Sequence, residues 1–399
     1  MRPCRSAVLG ATLALCAVAG AEAGAPSVPT RDTVVETQLL PRAVKASVQR
    51  LAAADGNAPA VDAALAAARR MIESGRASGD PRTLGYAESL LAPWPADDAR
   101  TPPEVLVLRA TIEQSRHRFD AATALLDRVI DGARPHAAGL APAAVAPDTL
   151  GQALLTRAAV AQVRGAYAAA ARDCQRLRPL NADVAAVCGA LTDAATGHNE
   201  RALATLRIAA ARTEGAVRGW ALGALAQVHE QRGEPAAAAQ AYRTALAADD
   251  DLATRLAFAD LLLAQRARDE ARALLAEAPP ADGVLLRRWQ LARADGADGA
   301  AAALQAQLQA RIDEAGARGD LLHAREAALF ALERGDAAAA LRLAQANWQT
   351  QREPADLHVL ARAARAAREP AALATVRRWV RDTGLADARL RAVLDGGGA

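Results

Sequence analysis

Gly165, Gly197, Gly233 and Gly335 each stand between two apolar segments of helical period, and each is followed five positions later by an alanine: Ala170, Ala202, Ala238 and Ala340. Four residues further on come Cys174, Leu206, Tyr242 and Ala344. Another unit keeps the frame with His117 at the turn, then Phe119, Ala122, Leu126 and Val129. Such self-similarity narrows the fold more than any other feature. Each unit is too small to bury its apolar face alone, so neighbours must stack into a continuous core. The stretch "RGEPAAAAQAYRTALAADD", residues 232 to 250, shows the chemistry of one joint. Gly233 supplies a left-handed cap that ends one helix. Glu234 places negative charge near the start of the next, and Pro235 at the first helical position costs no hydrogen bond. The alanines then allow close helix approach, and Tyr242 fills the gap towards the next unit.

Composition agrees with an all-α chain. Hydrophobic residues make up 52% of the 399 residues but aromatics only 3%, too few bulky side chains for one compact core. Alanine, the commonest residue, has the best helix propensity, and β-branched residues are too thinly spread for a sheet.

The repeated frame resembles the tetratricopeptide repeat, a helix-turn-helix unit of roughly 34 residues. The best match places Leu222, Leu225 and Ala226 on a first helix, Gly233 at the turn, and Ala238, Tyr242, Ala245 and Leu246 on a second. The next unit repeats it with Phe258, Ala259, Leu262, Ala271, Leu275 and Ala278; later copies carry Ala328, Gly335 and Ala340, then Leu357, Leu360 and Ala361. The family's tryptophan is mostly replaced by leucine or alanine, and its closing proline is mostly absent. The resemblance implies an α-solenoid, a right-handed superhelix of about nine antiparallel helix pairs. The array is expected over residues 59–380, with a leading helix and linker at 24–58 and a capping helix and tail at 381–399.

Residues 1–23 read as an export signal. Arg2 and Arg5 precede the short apolar run 7–20, and Ala21-Glu22-Ala23 offers small residues for cleavage, so the mature chain is expected to start at Gly24 in the periplasm or outside the cell. Cys16 suggests a lipobox, but Leu15 stands where a small residue is needed. No other apolar run is long enough for a transmembrane span. Two cysteines then remain in an oxidising compartment, Cys174 and Cys188, each seven positions from Asn181 in the turn between two helices. They read either as buried thiols acting as small hydrophobes or as a disulfide. The symmetric register and the export signal favour the disulfide.

Chemistry is sparse. The six histidines are scattered, and no pair has metal-ligand spacing within one helix. Catalytic, cofactor-binding and phosphate-loop motifs are absent, so neither an enzyme nor a cofactor is expected. Asp249-Asp250-Asp251 reads as favourable charge before a helix rather than a metal site, and "ADGADGAA" (294–301) as a turn rather than a calcium loop. Net charge is +3, with Lys45 the single lysine among 48 basic residues. Basic residues are interleaved with acidic ones and not with aromatics, which argues against a nucleic-acid partner. The Pro/Ala/Gly-rich insertion at 132–149 reads equally as a partner-binding lid or a tolerated loop.

What remains is surface. In the family, first helices line a concave groove, and the resemblance places Gln114, Gln162, Gln227, Glu230, Asp260, Arg325, Arg362 and Arg365 there. For any single one a solvated inner wall is the simpler account. The lysine and asparagine of the family's carboxylate clamp are missing. The expectation is a protein-binding scaffold, with an envelope-complex subunit as the alternative and, further behind, an enzyme whose site lies in the insertion or groove. Gln227, Asp260 and Arg325 are expected to tolerate alanine, as surface positions away from the packing seams.

Overall fold

The computed structural model describes residues 58–78, 80, 82–133, 145–317 and 324–396. The expected signal peptide and linker through residue 57, and residues 134–144 of the insertion, lie outside the described residues.

Among the described residues there are nineteen helices and no strands. Eighteen of them form nine consecutive hairpins. The first three are α1 (Ala58–Ser78) with α2 (Arg82–Leu90), α3 (Pro103–Ser115) with α4 (Phe119–Gly132), and α5 (Pro147–Val163) with α6 (Tyr167–Leu177). The middle three are α7 (Ala182–Ala195) with α8 (Asn199–Arg212), α9 (Gly215–Gln231) with α10 (Pro235–Ala248), and α11 (Leu252–Ala264) with α12 (Arg268–Leu275). The last three are α13 (Asp282–Ala294) with α14 (Asp298–Ala317), α15 (Ala324–Glu333) with α16 (Ala337–Thr350), and α17 (Pro354–Ala366) with α18 (Pro370–Thr383). The short α19 (Ala388–Leu394) follows. None of these helices is long and apolar enough to cross a membrane.

One turn geometry recurs. The linking residue is left-handed at His117 (φ 57°), Gly165 (72°), Gly197 (80°), Gly233 (73°), Arg266 (58°), Gly296 (69°), Gly335 (84°) and Arg368 (56°). At Gly233 the pattern is complete: its N–H donates to the Glu230 carbonyl and the Glu234 N–H to that of His229, both at 2.9 Å. These two bonds satisfy carbonyls that a helix end leaves unpaired. The glycine frame is therefore a frame of left-handed positions, and three of them carry side chains.

Five residues after the turn, Ala122, Ala170, Ala202, Ala238, Ala271 and Ala340 are all 0% exposed. A methyl group there lets the second helix lie directly on the first. Four residues later, Leu126, Cys174, Leu206, Tyr242, Leu275 and Ala344 are buried between units. Tyr242 stacks on Phe258 of the next hairpin, ring centroids 5.6 Å apart, inside a cluster that runs without a break from Val187 to Leu291. Each residue of this kind belongs to two hairpins at once, which is how small units share one core.

Candidate functional site

First helices of adjacent hairpins lie side by side, so polar residues about one repeat apart face each other. Gln162 donates from Nε2 to the Thr192 hydroxyl and the Cys188 carbonyl, both at 2.9 Å. Asp260 receives Arg287 in a two-pronged pair at 2.8 and 2.5 Å. Arg325 bridges Asp356 and Glu353, each at 2.6 Å. Arg362 binds Glu333 at 2.8 Å, and Arg365 donates to the Val393 and Gly396 carbonyls. Gln114 is half-buried, and Gln227 is exposed.

These pairings change what the wall offers. Five of the eight expected groove residues stitch one part of the array to the next, and Glu230, treated below, does so over a longer span. Two of the charged partners are buried: Arg287 is 5% exposed and Asp356 2%. Asp260 and Arg325 therefore do not stand off the packing seams. Deleting either strands a buried charge, which is costly, so the expected tolerance of alanine does not extend to these two. A signal for these pairs was present in the chain. The partners are separated by 30, 27, 31 and 29 residues for Gln162–Thr192, Asp260–Arg287, Arg325–Asp356 and Arg362–Glu333.

A second arrangement had no sequence signal. The C-terminal elements lie against the turn edge of the earlier hairpins. The Arg352 N–H donates to the Val163 carbonyl at 2.6 Å, the Tyr167 hydroxyl donates to the Arg352 carbonyl, and Gln351 Nε2 lies 3.2 Å from His117 Nδ1. Trp379 meets Tyr167 edge-on and packs over Gly165, where a Cβ would lie 2.5 Å from the indole. Gly197 closes on the Gly384 carbonyl with no room for a side chain. Asn199 Nδ2 donates to the Ala386 carbonyl at 2.9 Å, and Arg389 reaches Glu230 at 2.8 Å. The turn glycines thus serve twice, once for their left-handed backbone and once for close approach. The segment expected as a simple cap, 381–399, contributes the end of α18 and all of α19 to this contact.

The charges gathered there are perturbed. Burial raises the Glu230 carboxyl above its usual value, while Arg389 and the Tyr242 hydroxyl (2.7 Å) pull it back down. Tyr242 is raised well above the ordinary phenol, first by burial and then by Glu230. His358 on α17 is lowered to about 4 by burial, with Arg389 and Arg362 adding repulsion. Desolvation dominates all three. Among the described residues no group of three or more potential metal ligands forms.

Other positions are local. Cys174 and Cys188 form a disulfide with Cα atoms 5.6 Å apart, tying α6 to α7. Asp251 caps α11 by accepting from the Thr254 N–H at 2.7 Å. Gly296 is a hairpin turn. Of the 132–149 insertion, Gly132 ends α4 and Pro147 opens α5.

Nine stacked hairpins with left-handed turns and a shared alanine seam define a tetratricopeptide-like helical repeat protein. No protein-family model and no curated protein matches the chain. Among solved structures it is similar to the pilF protein of Pseudomonas aeruginosa, at 18% identity over 52% of this chain and 90% of that one, TM-score 0.38. A tetratricopeptide repeat protein from Parabacteroides merdae matches at 17% identity, over 61% of this chain and 93% of that one, TM-score 0.39. A Rap protein complexed with competence and sporulation factor matches at 12% identity, over 89% and 92%, TM-score 0.49. The class assignment rests on the hairpins of this chain.

Proposed function

We propose that the protein is an exported scaffold that holds other proteins in the cell envelope, binding polypeptide segments and carrying out no reaction of its own. One observation carries this reading: the array already holds a polypeptide. Its turn edge meets residues 384–389 through the hydrogen bond from the Asn199 amide to the Ala386 carbonyl, the Glu230–Arg389 ion pair and the close approach of Gly197 to Gly384. A surface that reads main chain and one cation suits a protein partner. The Cys174–Cys188 bond supports export, because disulfides persist in oxidising compartments. A stack of hairpins linked by nearest-neighbour contacts presents a long surface for assembling partners.

The test is cross-linking in intact cells followed by purification of the tagged chain from fractionated envelope and periplasm. The mature protein should begin at Gly24 and bring down the same partner at constant ratio across preparations. Recovery from the cytoplasm with Met1 intact, or recovery alone after cross-linking, would contradict the proposal.

A further inference from the structure

We propose that the turn edge around Asn199 and Glu230 is a peptide-binding strip, which a partner segment carrying an arginine takes in exchange for the chain's own tail. This rests on the scaffold reading and names where the partner sits.

The main observation is a half-used amide. Asn199 is 8% exposed and donates from Nδ2 to the Ala386 carbonyl. Its Oδ1 is buried and finds no donor among the described residues. A side-chain amide presents an NH2 that donates and a C=O that accepts, the complement of a peptide's C=O and N–H. The tail supplies the C=O alone. A buried acceptor without a donor is destabilising, so a segment offering both groups has an advantage that the tail lacks.

The cation position is open to replacement. Glu230 is 9% exposed, and one carboxylate oxygen is fixed by Tyr242. The other faces Arg389, whose side chain remains 40% exposed. Its guanidinium is shared between Glu230 at 2.8 Å and Asp387 of the tail itself at 3.0 Å, so the arginine that meets Glu230 is held by the tail and leaves with it. Arginine suits the place better than lysine, because it is more weakly hydrated and always charged. Gly197 and Gly233 flank these groups and allow a backbone to lie close; a Cβ on Gly233 would only touch the Ala388 methyl, at 3.4 Å.

The tail's hold on this strip is modest. Its apolar side chains, Leu385, Leu390 and Val393, are inserted among residues of α15–α18, away from the strip. What it presents to Asn199 and Glu230 is one main-chain carbonyl and one guanidinium, the latter on a side chain 40% exposed. The tail is therefore anchored from behind while its front is exchangeable.

The experiment uses the full chain and a fluorescein-labelled peptide of residues 383–396, TGLADARLRAVLDG, followed by anisotropy. Wild type should bind it weakly, because its own Arg389 occupies Glu230. Arg389→Ala, and separately Arg389→Gln to preserve side-chain bulk, should bind at least about tenfold more tightly. Adding Asn199→Ala or Glu230→Gln should remove that gain, and a peptide with alanine in place of its Arg389 should bind none of the proteins. Thermal melts establish that each variant is folded. Arg389 variants that are folded yet bind no tighter than wild type would overturn the strip, as would binding indifferent to Asn199→Ala. Envelope partners recovered despite that result would leave the scaffold reading intact and move the contact elsewhere.

Discussion

Glu230 and Arg389 stand 159 residues apart in the chain and 2.8 Å apart in space. The fifth hairpin is thereby tied to the terminal helix, across four intervening hairpins. A solenoid held only by nearest neighbours lets its ends move independently. This one does not, because its C-terminal hairpins return to the turn edge of the second to fifth.

The Cys174–Cys188 bond closes a loop of 14 residues between adjacent hairpins. Its loss should cost roughly 3 kcal/mol by the chain-entropy account. Urea melts with and without reductant read this directly, and thiol labelling of the unreduced, denatured mature chain should find neither cysteine free.

Asp260 and Gln227 occupy comparable first-helix positions but should respond oppositely to alanine. Asp260→Ala strands Arg287, which is 5% exposed; Asp260 itself is half in solvent, so a loss of about 2 kcal/mol is expected. Gln227→Ala should stay within about 0.5 kcal/mol of wild type. Equal melting midpoints for the two variants would show that the Asp260–Arg287 pair is not formed.

Arg266 is left-handed at φ 58°, where five of the other hairpins carry glycine. A side chain there costs about 1–2 kcal/mol, partly offset by the greater entropy that glycine has when unfolded. Arg266→Gly should therefore stabilise by about 0.5–1 kcal/mol. Calorimetry should show a higher midpoint; a lower one would mean that the arginine makes a compensating contact.

His358 takes a proton near pH 4 in the folded protein against 6.5 when unperturbed. Between those values the unfolded state binds more protons, so stability is complete above pH 6.5 and falls as pH drops towards 4. The loss amounts to roughly 3 kcal/mol. Burial is the main cause; Arg389 and Arg362 reinforce it, while Asp387 and Asp260 oppose it. His358→Gln should flatten this limb of the profile relative to wild type. Identical slopes for the two proteins would mean that His358 is not held neutral.

The fold was legible because its determinants are local. A left-handed turn, an alanine five residues on and a larger residue four beyond that are read within one unit, and Gly233, Ala238 and Tyr242 do what their spacing implies. His117 was recognisable as a turn, whereas Arg266 and Arg368 were not, since nothing in their composition signals a left-handed backbone. The polar wall was legible in place but not in use: position on a first helix says where Asp260 points, and only the neighbouring hairpin says that Arg287 meets it. The return of the C-terminal hairpins was not legible. It depends on how small rotations between nine hairpins accumulate, and no local pattern links Asn199 to Ala386 or Glu230 to Arg389.

That return is the central claim, and a double-mutant cycle tests it most directly. Glu230→Gln, Arg389→Gln and the double variant are compared with wild type by urea denaturation in the full chain. Contact between the two residues predicts a coupling energy of about 1–2 kcal/mol, the two single losses together exceeding that of the double variant. Single effects that add to within about 0.3 kcal/mol would contradict it and leave the terminal helix unattached to the fifth hairpin.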